Sequence, residues 1–219
     1  MWKIGHRGAC GYAPENSLLS FQKAIDLGVD AVELDVHLSA DNEVMVIHDP
    51  TLDRTTPSQG FVNSKTKFEL QQLGIPTLAA VLDLIQNRCV VNIELKTKSA
   101  AQPTLDLVAK YCESRKASFH QILISSFDWD ILREISHQQP EYQLGILYEE
   151  ESLDAIAFAQ TIGAFSMHPN YKLLTFEKVK KIQAFGFKVF PWTVNDPSAI
   201  TTLTSWHVDG IISDFPDRI

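Results

Sequence analysis

The 219-residue sequence predicts an α/β fold, a TIM (β/α)8 barrel carrying a small hairpin-containing insertion after its second strand. Three observations predict it. Short β-branched runs alternate with segments of helical period along the whole chain, which calls for parallel strands joined by crossover helices. The runs number about eight, enough to close a barrel. The glycine fingerprint of an open nucleotide-binding sheet is missing. Gly5-His6-Arg7-Gly8 lacks its spacing and puts charged side chains where a dinucleotide phosphate needs bare backbone.

In order, the strands are expected at 3–6, 31–35, 90–95, 122–126, 144–148, 164–167, 188–194 and 210–213. Amphipathic stretches such as 17–27, 78–85, 104–112 and 176–185 supply crossover helices. One piece breaks the alternation. Residues 36–39 and 44–49 alternate on either side of a turn at Asp41-Asn42, and so short a connection makes an antiparallel hairpin. Pairing Ser39 with Val44 would set Asp35 opposite His48, so the hairpin is expected to return a histidine to the end of the second strand. No low-complexity linker divides the chain, so residues 1–219 are expected to form one domain, with the insertion at about 36–73.

Composition narrows the function classes. Hydrophobic residues at 45% and charged residues at 21% describe an ordinary folded protein. Lys+Arg 19 against Asp+Glu 27 gives a net charge of -8, which argues against an electrostatic grip on nucleic acid or on an anionic membrane. Apolar runs such as 89–91 and 210–212 are far shorter than the ~20 residues of a membrane span. No signal-like stretch precedes His6, and the expected location is cytoplasmic. Cys10, Cys89 and Cys112 show no zinc or redox spacing and read as free thiols.

Barrel enzymes work at the C-terminal ends of their strands, where this sequence places His6-Arg7, Glu33 and Asp35, Glu94 and Lys96, Ser126, His168 and Trp192. Alternation along a strand sets Glu33 and Asp35 on one face and Leu34 on the other; Glu94 and Lys96 share a face in the same way. Taken singly, a salt-bridged strand end accounts for the first pair and a surface ion pair for the second. Taken together, three carboxylates inside apolar runs are costly to bury unless paired or metal-bound, and an all-oxygen set suits Mg²⁺, Ca²⁺ or Mn²⁺ over zinc. His6 and His48 have the chemistry of a general base and a general acid. Arg7 offers a planar fork to phosphate oxygens and Lys96 a point charge. Acid, base, cation site and cationic fork together describe phosphoryl chemistry.

His6-Arg7-Gly8, Pro14-Glu15-Asn16-Ser17, Glu33-Leu34-Asp35-Val36, His48-Asp49, Ile93-Glu94-Leu95-Lys96, Trp192-Thr193-Val194-Asn195 and Asp209-Gly210-Ile211-Ile212-Ser213-Asp214 follow one another in that order. The series resembles the glycerophosphodiester phosphodiesterase family over nearly the whole chain. The resemblance implies a metal-dependent TIM barrel that cleaves deacylated phospholipids to glycerol 3-phosphate and an alcohol. It implies that Glu33, Asp35 and Glu94 hold one divalent cation, Mg²⁺ or Ca²⁺ with Mn²⁺ as a further candidate, and that His6 and His48 exchange protons. Arg7 and Lys96 would bind phosphate and Trp192 would pack on the glycerol or the leaving group, although an aromatic on a barrel strand also simply fills the core. The route implied is attack by the free glycerol hydroxyl on phosphorus, then opening of a cyclic phosphate by water. Ser17 stands where the family commonly has Thr and keeps a helix N-cap role. His168, at a strand end, is either a substrate contact or a loop cap.

Two other readings compete. A phospholipase acting on intact lipid needs a way onto a membrane, and no basic amphipathic helix is present. A binding protein that had lost the enzyme should lack members of the acid, base and metal set, and all are present. The expected partner is a small phosphodiester, with no nucleic acid and no stable membrane association. Headgroup choice depends on loops at 127–129 and 148–151, and contacts made mainly to phosphate and glycerol favour a broad substrate range.

Overall fold

The computed structural model describes residues 1–115, 118–150 and 154–219; Glu151, at the end of one expected specificity loop, lies outside them. Strands β1 (Trp2–Gly5), β2 (Ala31–Leu38), β4 (Val90–Leu95), β5 (Ile122–Ser126), β6 (Gln143–Tyr148), β7 (Ser166–Pro169), β8 (Lys188–Val189) and β9 (Gly210–Ser213) run parallel in the order β8-β7-β6-β5-β4-β2-β1-β9. Asp209 N–H donates to the Val189 carbonyl at 3.1 Å, Ile212 N–H to Pro191 at 3.0 Å, and Val194 N–H to Ile212 at 2.9 Å. These bonds join β8 to β9 and close the ring into a TIM barrel. The eighth strand is expected over seven residues and its regular ladder covers two, because Pro191 has no N–H to give.

Helices α1 (Leu18–Asp26), α3 (Leu78–Ile85), α4 (Lys98–Arg115), α5 (Trp129–Gln138), α6 (Ala155–Thr161), α7 (Phe176–Ala184) and α8 (Pro197–Ser205) make the crossovers, while α2 (Lys67–Gln72) belongs to the insertion. Their starts follow capping chemistry. Ser17 accepts from Ser20 N–H in a capping box, Thr77 caps α3, Thr175 caps α7, and Asp196 caps α8 ahead of Pro197. The expected helix at 104–112 is longer in the structure: α4 begins at Lys98 and runs on through Pro103, which lies near its N-terminal end.

The outward residues of the strands, such as Val32, Leu34, Val91 and Ile93, pack against the helices. Inside the barrel Ile4, Ala31, Leu123, Phe190 and Ile212 form an apolar plug on which the polar layers rest. The insertion has its own cluster of Met45, Ile47, Leu52, Val62, Leu70 and Ile75.

The hairpin is present, and its register corrects the expectation by one residue. Strand β3 (Val44–Val46) pairs antiparallel with β2 through Val36↔Val46, His37↔Met45 and Leu38↔Val44, so Asp35 faces Ile47 and not His48. Asn42 adopts φ 60 and its N–H bonds the Ser39 carbonyl, so the loop closes over three residues, 40–42. That is a type I turn followed by a left-handed residue. Reading the loop as four residues moved every partner by one.

His168 fills part of the barrel interior. It is fully buried, its Nε2 lies 2.7 Å from Ser166 Oγ, and its ring packs edge-on to Phe190. A Cβ at Gly145 would sit 2.7 Å from His168 Nε2. Gly145→Ala is therefore expected to destabilise the barrel by ~1–3 kcal/mol. Adding His168→Ala should recover part of that loss in a double-mutant denaturation cycle; strict additivity would show that the ring is not the obstacle.

Candidate active site

The residues that build the mouth arrive from strand ends held in unusual backbone. Arg7 follows β1 at φ 50, a left-handed conformation that turns its N–H onto Glu33 Oε2 at 2.9 Å. Asn16, also left-handed at φ 53, donates from Nδ2 to Asp35 Oδ2 at 2.8 Å. On β2 the alternation aims Glu33 and Asp35 inward. The β2–β4 register sets Asn92 beside Glu33 and Glu94 beside Asp35. One oxygen from each of Glu33, Asp35 and Glu94 lies within 4.8 Å of the others, and all three residues are buried.

This packing is electrostatically expensive. Burial, then the Asp35 and Glu94 charges, push the Glu33 carboxyl well above the usual range. Burial and Asp35 raise Glu94 to about 7. Asp35 goes the other way: burial opposes its charge, but Lys96, Arg7 and His48 together with the Asn16 amide outweigh it and hold it low. Lys96 Nζ lies 2.6 Å from Glu94 Oε1 and 3.2 Å from Asp35 Oδ1, and Arg7 Nε lies 3.4 Å from Asp35 Oδ2. Asp35 Oδ1 and Arg7 Nε nevertheless have no aligned hydrogen-bond partner. A buried carboxylate oxygen with an unfilled lone pair, next to two carboxyls whose charge is disfavoured by burial and by their neighbours, fits a hard cation bound by oxygen.

The two histidines are held alike. His6 Nδ1 lies 2.6 Å from Asp214 Oδ1, and Asn195 Nδ2 donates to Asp214 Oδ2 at 2.6 Å. His48 Nδ1 lies 2.6 Å from Asp49 Oδ1. In each case a carboxylate fixes the tautomer and leaves Nε2 for chemistry. Burial opposes the Asp214 charge, but hydrogen bonds from His6 and Cys10 hold it at about 2. Burial lowers His48, against Asp35 and Asp49, which favour its charge. Both rings line one cavity of about 190 Å³ with Arg7, Glu33, Glu94 and Lys96. Trp192 forms a wall of it, fixed by its Nε1 donating to the His168 carbonyl at 2.8 Å and by an edge contact with Phe127 at 5.4 Å.

Residues 6–218 match the glycerophosphoryl diester phosphodiesterase family. The chain belongs to that family. It is 34% identical to a glycerophosphodiester phosphodiesterase of Caldanaerobacter subterraneus, over 99% of this chain and 95% of the relative. Among solved structures, it matches an Oleispira antarctica phosphodiesterase in complex with sn-glycerol-3-phosphate at 28% identity and a TM-score of 0.88, covering 99% of this chain and 94% of that one. A Thermotoga maritima glycerophosphodiester phosphodiesterase matches at 30% identity and a TM-score of 0.85, covering 99% and 96%. This family member is thus an enzyme of the phosphoric diester hydrolase class.

The structure brings His6, Arg7, Glu33, His48, Glu94, Lys96 and Trp192 to the cavity, with Asp35 sealed just behind it at 1% exposure. It does not bring His168, whose buried ring lies beneath the wall and whose carbonyl holds Trp192. Burial brings the His168 imidazole down to about 3, so the ring stays neutral.

Residues not singled out from sequence complete the site. Asn92 lines the cavity, buried, with Oδ1 unpartnered. Arg54, from the insertion, joins two clamps. It donates from Nη1 and Nη2 to Glu15 at 2.7 Å each, and from Nε to Asp49 Oδ2 at 2.7 Å. Glu15 also accepts from Arg7 Nη1 at 2.8 Å, while Asp49 holds His48. Glu15, Asp49, Asn195 and Asp214 all stand inside motifs legible in the sequence, but only the fold shows what each one holds.

Arg54 is half exposed, so the pairs themselves should contribute little stability, under about 1 kcal/mol. Their geometric effect is larger. Arg54→Lys, which replaces a planar fork on Glu15 and Asp49 with a single ammonium, is expected to lower kcat/KM by about 10- to 100-fold with little change in melting temperature. A variant with unaltered kinetics would show that Arg7 and His48 hold their places without it.

Proposed function

We propose that the chain hydrolyses glycerophosphodiesters, the deacylated phospholipids, to glycerol 3-phosphate and an alcohol, with a divalent cation and with His6 and His48 exchanging the protons. The observation that carries this reading is the pair of aspartate-held imidazoles facing one cavity with Arg7, Lys96 and three buried carboxylates. The name and product complex of the relatives support the substrate class. Residues 1–219 act as one domain, with the insertion at about 36–73 supplying His48.

In this reading one imidazole takes the proton of the attacking hydroxyl as the new O–P bond forms, and the other gives a proton to the leaving oxygen as the old bond breaks. Arg7 and Lys96 receive the phosphate oxygens and draw off the charge that builds on them. Trp192 packs against the glycerol or the leaving group. Glu33, Asp35 and Glu94 would hold Mg²⁺ or Ca²⁺, with Mn²⁺ as a further candidate; when bound, the cation supplies positive charge against the phosphate and relieves the repulsion among its ligands. The substrate is a small molecule met in solution, consistent with a cytoplasmic enzyme. Among the described residues no helix is long and apolar enough to cross a membrane.

The test is release of glycerol 3-phosphate from glycerophosphocholine by purified protein, first with a chelator and then with Mg²⁺, Ca²⁺ or Mn²⁺. Cation-restored release is expected, and folded protein that releases none with any cation would overturn the reading. His6→Ala and His48→Ala should each lower turnover about 10²- to 10⁴-fold while keeping the melting transition. Wild-type rates in either variant would remove that histidine from the reaction.

Glu94 gives a pH signature. Its carboxyl, raised to about 7 by burial and by Asp35, must lose its proton to bind a cation, so affinity should fall as pH drops below that value. A carboxyl raised on folding favours the folded state at low pH, and that contribution is lost as pH rises through about 7. Cation-free Glu94→Gln is therefore expected to be more stable than cation-free wild type at pH 8 by ~1–3 kcal/mol, and to gain less from added Mg²⁺. Thermal melts with chelator and with Mg²⁺ at pH 5 and 8 check both. An unchanged response to Mg²⁺ would make Glu94 only an ion-pair partner of Lys96.

A further inference from the structure

Behind His6 lies a second set of metal-ligating atoms, different in kind from the carboxylate cage. His6 Nδ1, Cys10 Sγ and Asp214 Oδ1 come from the end of β1, the loop after it and the end of β9. They offer a nitrogen, a sulfur and an oxygen within 4.8 Å of one another. The separations are 2.6 Å from nitrogen to oxygen, 2.9 Å from sulfur to oxygen and 3.9 Å from sulfur to nitrogen. A tetrahedral ion with bonds of about 2.3 Å to sulfur and about 2.0 Å to nitrogen and oxygen sets such atoms roughly 3.3–3.6 Å apart. Each pair is within about 0.7 Å of that arrangement, a shift that small side-chain rotations supply.

The surroundings already hold the three ligands in place. The His6 N–H donates to the Ser213 carbonyl at 2.9 Å and the Gly11 N–H to the Asp214 carbonyl at 2.9 Å, so both ligand-bearing segments are tied together by backbone. The second oxygen of Asp214 is occupied by Asn195 Nδ2 at 2.6 Å, which fixes the first towards Cys10 and His6. The set is partly open to solvent, with side-chain exposure of 17% for His6 and 26% for Asp214. Cys89 and Cys112 are buried, which leaves Cys10 as the accessible thiol.

We propose that His6, Cys10 and Asp214 form a second, inhibitory cation site selective for thiolate-seeking metals such as Zn²⁺, and that its occupation stops His6 from moving protons. This rests on the proton role given to His6 above. Hard cations prefer the all-oxygen cage of Glu33, Asp35 and Glu94, whereas a site of one sulfur, one nitrogen and one oxygen takes a borderline or soft ion. On binding, the Cys10 thiol proton leaves to solvent as the metal–sulfur bond forms; the hydrogen that His6 Nδ1 shares with Asp214 is also lost to solvent while Nε2 takes one up, which frees the Nδ1 lone pair for the metal. The imidazole then carries its single hydrogen on Nε2. There it can neither accept a proton from an attacking hydroxyl nor, lacking a second hydrogen, act as an imidazolium acid. No other reactant is needed, and removing the ion restores the resting hydrogen bonds.

The experiment adds Zn²⁺ to wild type saturated with Mg²⁺ and to Cys10→Ser, which keeps a hydroxyl donor for Asp214. Wild type is expected to lose activity in a way that further Mg²⁺ does not reverse, and the half-inhibiting Zn²⁺ concentration, each protein being compared with its own zinc-free rate, should rise about tenfold or more in Cys10→Ser. A readout independent of turnover comes from Co²⁺ added to the Mg²⁺-loaded proteins. The thiolate-to-cobalt charge-transfer absorption should appear at one equivalent in wild type and be absent from Cys10→Ser. Zn²⁺ should also slow alkylation of Cys10 where Mg²⁺ does not, a measurement on the wild-type chain that needs no variant to fold. Inhibition that Mg²⁺ reverses and that is equal in both proteins would place Zn²⁺ in the carboxylate cage and overturn the proposal, as would absence of the absorption band and of protection. Wild type inactive towards glycerophosphodiesters yet showing band and protection would sink the proposed function and the inhibitory role given to His6, while the metal site itself would stand.

Discussion

The mutual repulsion of Glu33, Asp35 and Glu94 is the constraint around which this barrel mouth is arranged. Their placement follows from strand parity and from one register, Asp35 opposite Glu94, and it sets three acids into a layer resting on Ile4, Leu123 and Ile212. Buried like charges of this kind are unfavourable unless something compensates them. Lys96 and the Arg7 guanidinium compensate Asp35, and the Arg7 N–H reaches Glu33. What remains uncompensated appears as raised carboxyls on Glu33 and Glu94. The layer thus carries a local electrostatic cost that a cation held among the three carboxyls would relieve, a pattern expected where binding and folding make opposite demands on the same groups.

Around that layer the site is built from two clamps of similar design on different parts of the chain. Asp214 holds His6 across the junction of β1 and β9, and Asp49 holds His48 at the edge of the insertion. Arg54 and Glu15 then tie the second clamp to Arg7. The charged side chains of the mouth are oriented by carboxylates bonded to basic side chains or imidazoles, above the apolar plug that supports them. The insertion has its own small core, but β3 is also laddered to β2 and its Val44 and Val46 pack into the main core, so backbone pairing seats the insertion and the polar links orient its side chains at the mouth.

Much of this was legible in the sequence because it depends on periods of two and on strand ends. Parity alone put Glu33 and Asp35 on one face, and the succession of β-branched runs gave the barrel. The register of β3 was not legible, since the choice between a three- and a four-residue loop rests on the left-handed backbone of Asn42, a local torsion that Asp41-Asn42 allows without requiring. The length of β8 was misread because Pro191 interrupts a run that otherwise looks like a continuous strand. His168 stood at a strand end as a substrate contact should, yet Gly145 opens a space for it inside the barrel, a relation between neighbouring strands. Arg54 was invisible for the same reason: its partners Glu15 and Asp49 become neighbours only after the insertion folds over the mouth.

The clamp on His6 spans 208 residues of sequence. During synthesis every carboxylate of the acidic layer has been made by residue 94, and both histidines by residue 48, but His6 has no orienting partner until Asp214 has been added and β9 has docked. Closing so long a loop is slow, because chain entropy opposes it until the whole ring of strands is in place. The nascent chain therefore acquires its charges early and the clamp on His6 last, and a barrel that has failed to close is left without the orientation of that imidazole. Closure of the ring and alignment of the His6 imidazole in the mouth become one event.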